Sequence, residues 1–141
     1  MKSLFDRLIL ITFLLLIVAA CAKKSETSSS DEWPEMDSFH MVMAEAFHPY
    51  KDSANVEPVK RLAGEMALEA ARWQSSDLPD KVNTDEVKGQ LEKLMVGTRA
   101  LADQVKAGAS DEEIGTALTT LHDSFHRITE AWHGGGEKHK H

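Results

Sequence analysis

Apolar positions recur at intervals of three and four along most of the chain. Met36, Phe39, Met43, Phe47 and Tyr50 form one such series; Val59, Leu62, Ala63, Met66, Ala70 and Trp73 form a second; Val87, Leu91, Leu94, Leu101 and Val105 a third; Ile114, Leu118, Leu121, Phe125, Ile128 and Trp132 a fourth. At about 3.6 residues per turn each series lies on one face of a helix, so the pattern predicts four amphipathic helices. Polar residues at the boundaries support the division. Ser30 or Asp31 can cap the first helix, whose opening turn holds Glu32, Pro34 and Glu35, and Pro49 either ends or kinks it. Asn55 is expected to cap the second helix, and residues 74–82, with Ser75, Ser76, Asp77 and Pro79, read as a loop. Asn83 with Glu86, and Ser110 with Glu113, have the spacing of capping boxes for the third and fourth helices, which stop at Gly108 and at Gly134-Gly135-Gly136. No segment alternates as a strand would. Short connections make successive helices antiparallel, so the expected fold is all-α: an up-down-up-down four-helix bundle over residues 34–132.

Residues 1–20 fall outside this pattern. Lys2 and Arg7 flank the start of an apolar run, Leu8 to Val18, that is short for a membrane span and has the arrangement of a secretory signal. The run leads into Val18-Ala19-Ala20-Cys21, which resembles the bacterial lipobox, where the cysteine is acylated and begins the mature chain. Cys21 is the single cysteine, which excludes a disulfide within the chain. Residues 21–33 then read as an acylated cysteine on a serine-rich tether. In the same resemblance, Ala22 replaces the aspartate that retains lipoproteins at the inner membrane. An envelope location is therefore expected, facing the periplasm or exterior, with outer-membrane anchoring favoured. Without Lys2, Asp6 and Arg7 the chain keeps 14 basic and 22 acidic residues, net −8, a balance that argues against nucleic acid as a partner.

Histidine supplies the candidate chemistry. His122 and His126 are four residues apart in the fourth helix, on neighbouring turns of one face, a spacing at which two imidazoles can share an ion. His40 falls inside the apolar arc of the first helix and is expected on its buried stripe, where an imidazole needs a partner. The first and last helices of such a bundle are antiparallel neighbours, which sets His40 opposite His126 and carries His48 on past the level of His122. Asp37 and Asp123 are candidates to orient a ring nitrogen. Met36, Met43 and Met66 read as core residues. Residues 133–141 form a tail with His133, His139 and His141, either a weak metal scavenger or plain solvated sequence. Imidazoles without thiolates suit zinc, copper, nickel or cobalt.

The pattern resembles the cytochrome c prime superfamily, four-helix bundles that hold haem near one end, including a soluble b-type member with non-covalent haem. The resemblance is carried by Val59-Lys60 and by the tract Leu118 to His126. It implies His40 and His126 as axial ligands of haem b, with Met66 as a pocket methionine. In c-type members the fourth helix carries Cys-x-x-Cys-His; the same frame here reads His122-Asp123-Ser124-Phe125-His126, and without cysteines covalent haem is excluded. Glu130 and His122 stand where the family places arginines near the propionates, and Leu94 and Met95 where an aromatic wall would serve haem. The surplus of histidines suits a bare ion better.

The expectation is a lipid-anchored envelope protein that binds a transition-metal ion through His40, His122 and His126, with His48 as a further donor, for sensing, buffering or delivery. The alternatives are a b-type cytochrome for electron transfer and a non-catalytic scaffold lipoprotein. An enzyme is not expected. No nucleophile stands beside a placed base, no glycine-rich phosphate loop is present, and Glu45-Ala46-Phe47-His48 is half of the doubled motif of di-iron bundles.

Overall fold

The structure, a computed structural model, describes residues 32–134. Four helices account for most of them: α1 (Pro34–Ser53), α2 (Glu57–Ser75), α3 (Asp85–Lys106) and α4 (Asp111–Gly134), with one 3₁₀ turn, Asp80–Val82, before α3. Each helix packs on its sequence neighbour and α4 closes on α1, forming an all-α four-helix bundle. Contacts along the α1–α4 seam fix its sense. Trp33 meets Trp132, His40 meets Phe125, Phe47 meets His122, and Tyr50 lies against Gly115, so numbers rise on one helix as they fall on the other. Residues 1–20, read from sequence as a signal, Cys21 and the tail from residue 135 lie outside the described residues.

The helix ends follow the expected chemistry with three corrections. Trp33, not Ser30 or Asp31, occupies the N-cap of α1 and makes no side-chain cap bond; Pro34 at the first helical position needs no donor partner there. Of the two outcomes open at Pro49, ending the helix is the one not taken: α1 runs on to Ser53 and stops where Ala54 turns left-handed at φ 54°. The cap of α3 is Thr84, one residue beyond Asn83: its hydroxyl accepts the Val87 amide at 3.2 Å. At the start of α2 the N-cap is Val56 rather than Asn55 and makes no side-chain cap bond, although Asn55 Oδ1, one residue earlier, accepts the Glu57 amide at 3.1 Å. The start of α4 matches expectation: Ser110 and Glu113 form a reciprocal box, Ser110 N donating to Glu113 Oε2 at 2.8 Å and Glu113 N to Ser110 Oγ at 3.3 Å. The Ser110 N–H and the Ser110 hydroxyl, which donates to the same Oε2 at 2.9 Å, hold the Glu113 pKa below its ordinary value.

The four apolar series meet in one core, in which Phe39, Met66, Trp73, Leu94, Leu101, Leu118 and Ile128 are fully buried. Two findings change the sequence picture. Trp33, expected in the tether, is only 1 % exposed and belongs to the core. Its ring stands 5.1 Å from Trp73 and 5.3 Å from Trp132, closing one end of the bundle, while Lys81 Nζ sits 3.2 Å above the Trp132 ring. His40, expected on the buried stripe, is exposed. The buried arc of α1 is Met36, Phe39, Val42, Met43 and Ala46. Burying the small residues 42 and 46 turns the helix so that His40 and Phe47 fall on its shoulder, toward α4.

Candidate metal centre

The shoulder of α1 and the facing flank of α4 carry the histidines. Leu118, Leu121 and Phe125 anchor α4 in the core, and the residues one position beyond Leu121 and Phe125 emerge beside α1. These are His122 and His126. His122 is partly buried, its side chain 24 % exposed, and its ring lies flat on Phe47, centroids 3.7 Å apart and planes 11° from parallel. His126 is exposed. The two rings meet edge to face, and their Nε2 atoms are 3.2 Å apart.

That separation can serve in two ways. With both rings neutral, one Nε2–H donates to the other Nε2. An ion can replace that proton, with the donating ring shifting its hydrogen to Nδ1, so that two lone pairs converge. With metal–nitrogen bonds of about 2.0–2.1 Å, a 3.2 Å bite subtends about 100° at the ion, between square and tetrahedral angles. The 3.2 Å separation is compatible with a bidentate chelate, and the Phe47 stack limits how far the His122 ring can turn away.

Electrostatics favour the free-base form of His122. Its pKa lies below the ordinary 6.5, first because burial penalises the cation, then because of His126; Lys51 and His48 act in the same direction and Asp123 opposes them. Asp123 Oδ1 lies 3.9 Å from His122 Nδ1, too long for a hydrogen bond but on the side where it favours a proton on Nδ1. The sign of the stability effect follows. Because the folded chain takes up this proton less readily than the unfolded one, the contribution is fully present above about pH 6.5 and is lost as pH falls toward the lowered folded value. Urea midpoints at pH 7.5 and 5.5, without metal, are expected to fall further for the natural chain than for His122→Gln; parallel losses would contradict the burial of this ring.

The other candidates are placed differently. His40 stacks on Phe125, centroids 5.3 Å apart, and Phe125 lies 6.1 Å from the His126 ring, so His40 belongs to the same patch. His48 is exposed, close enough to His122 to influence its charge. Among the described residues no group of three or more His, Cys, Asp or Glu side chains is gathered as for an ion; His122 and His126 stand together as a pair. Met66 is fully buried in the core. His133 is exposed on the last turn of α4. Sequence reasoning missed Phe47 as the residue that positions His122. Its signal was available, since Phe47 and His40 are seven residues apart on one face of α1 and both meet α4.

Comparisons with protein-family models, curated proteins and solved structures find no match to this chain.

Proposed function

We propose that this chain is a lipid-anchored envelope protein that binds a transition-metal ion, zinc, copper, nickel or cobalt, for sensing, buffering or delivery. The ion is held by Nε2 of His122 and Nε2 of His126, with His40 and His48 as neighbouring donors. The observation that carries this reading is the 3.2 Å approach of the two Nε2 atoms on rings braced by Phe47. Imidazole suits borderline divalent ions, and the depressed pKa of His122 keeps its lone pair free at neutral pH. The envelope location rests on the signal and on Cys21.

A bare ion is preferred to haem for a reason of space. Phe125 packs on Phe39 at 5.6 Å and on Trp73 at 6.1 Å while touching His40. A porphyrin ligated by His40 and His126, with Met66 in its pocket, would need that aromatic stack opened, whereas an ion between His122 and His126 leaves it intact.

The test is a competition titration of the chain from Ala22 to His141, which retains the whole described core, with zinc or cobalt against a chromogenic chelator. About one ion per chain is expected, and His126→Ala should weaken binding by at least about tenfold, ~1.4 kcal/mol. An unchanged dissociation constant would sink the assignment.

A further inference from the structure

Gly115 lies buried in the interior of α4, where glycine is less favourable to a helix than alanine. Gly64 and Gly89, inside α2 and α3, have open space where a side chain would stand. At Gly115 that space is filled. A Cβ there would fall on Cε2, Cζ and Oη of Tyr50, closer than non-bonded atoms can approach. The missing side chain is therefore what lets the Tyr50 ring of α1 lie on the backbone of α4. Resting on the reading above, we propose that Gly115 is a positioning residue for the metal pair: by admitting the Tyr50 ring it sets how closely α1 lies on α4, and so how Phe47 meets His122.

Two facing stripes carry the effect from one residue to the other. Gly115, Thr119, His122 and His126 follow at intervals of four, three and four, which places them on one face of α4. Tyr50 and Phe47, three apart on α1, meet the first and third of them. Thr119, between those contacts, turns its hydroxyl back to donate to the Gly115 carbonyl at 2.9 Å. The Phe47 and Tyr50 rings are neighbours, centroids 6.5 Å apart and planes at 54°. A methyl at position 115 has to be met by movement of Tyr50. That ring is half-buried on a helix, where χ1 has few allowed positions, so relief comes by lifting this part of α1 from α4. Phe47, one turn back on the same side, lifts with it. Its stack on His122, at 3.7 Å and 11°, has no slack, and opening such a contact by about 0.5–1 Å forfeits a quarter to a half of its attraction. The His122 ring then turns more freely, and its Nε2 is held less closely at 3.2 Å from that of His126. The pair keeps both donors and loses pre-organisation. The effect acts from seven residues away, a rise of about 10 Å along α4, with no contact between Gly115 and the ion.

Two readouts on the chain from Ala22 to His141 separate positioning from plain packing. One is the zinc dissociation constant by chelator competition. The other, without metal, is the proton NMR signal of the His122 ring, which stacking on the face of Phe47 shifts upfield. Gly115→Ala should weaken zinc binding about tenfold, the lower end of what loss of a supporting residue does to a metal site, and move the His122 signal downfield. Tyr50→Ala should do the same. The double variant should fall no further, because the methyl has nothing to strike once the ring is gone. Gly64→Ala, placed where there is room, should change neither readout. Gly115→Ala that binds zinc as tightly as the natural chain, or that leaves the His122 signal in place, overturns the proposal, and so do losses that multiply in the double variant. Should Gly115→Ala fail to fold, Tyr50→Ala decides by the same two readouts. A natural chain that binds zinc no better than His122→Ala/His126→Ala sinks the assignment of the pair itself, and this proposal with it.

Discussion

Replacing Trp73 by alanine is expected to cost the fold about 3–5 kcal/mol, the range for truncating a large buried aromatic side chain. For a bundle of this size that corresponds to a drop in melting temperature on the order of 20 °C. Trp73, on α2, is fully buried and packs against residues of α1 and α4: Trp33 at the α1 N-cap at 5.1 Å, Phe39 at 5.6 Å and Phe125 at 6.1 Å. Its removal leaves a cavity beneath both Trp33 and Phe125, and each aromatic pair lost adds about 0.5–1.5 kcal/mol beyond area. One term opposes this. The Nε1–H groups of Trp73 and Trp33 are buried with no hydrogen-bond partner among the described residues, and an unpaired buried donor costs about 1–3 kcal/mol. Trp73→Phe keeps most of the ring and deletes the unpaired donor, so it should cost well under half of the alanine loss. Thermal melts of the two variants check the account. Equal losses would mean that the indole N–H contributes something the geometry does not reveal, and a negligible alanine loss would mean the aromatic end is not the keystone of the core.

The helices were legible because a helix is specified locally. Four apolar series with period near 3.6 and polar residues at their ends leave few alternatives, and the Ser110–Glu113 box formed as its spacing required. Where two neighbours could both cap, as with Asn83 and Thr84, spacing alone could not choose. Trp33 was misplaced for a different reason. It stands three residues before Met36 and so on the period of α1, but it lies ahead of Pro34 in a polar stretch that reads as tether, and the tertiary pocket formed by Trp73 and Trp132 shows that it is core. The error at His40 has the same root. Residues 36, 40, 43 and 47 fit a helical period as well as 36, 39, 43 and 46 do, and the small side chains of Val42 and Ala46, which decide the matter by letting neighbours approach, carry little weight in a pattern of large apolar residues.

For the site, the part that depends on one helix was legible and the part that depends on two was not. The four-residue spacing of His122 and His126 puts the rings side by side whatever α1 does. The stack of His122 on Phe47, and the placement of His40 over Phe125 rather than in the core, depend on the rotation of α1 against α4. A sequence does not express that rotation at the precision a ligand set demands.

The central claim is that His122 and His126 grip one ion together, and a double-mutant cycle on metal affinity tests it most directly. Each single substitution to alanine breaks the chelate, removing one bond and the pre-organisation that the 3.2 Å approach supplies, so each should weaken binding by about thirtyfold. Once either ring is gone the other is a lone imidazole with little left to lose. The double variant should therefore fall only about a hundredfold, short of the thousandfold product of the singles, a coupling of about 1.4 kcal/mol. Cobalt or zinc dissociation constants for the four chains, measured at pH 7.5 in one chelator competition, give the answer. A double variant about tenfold tighter than the product of the singles is the result expected of one shared ion. Losses that simply multiply, or singles that bind as tightly as the natural chain, would contradict it.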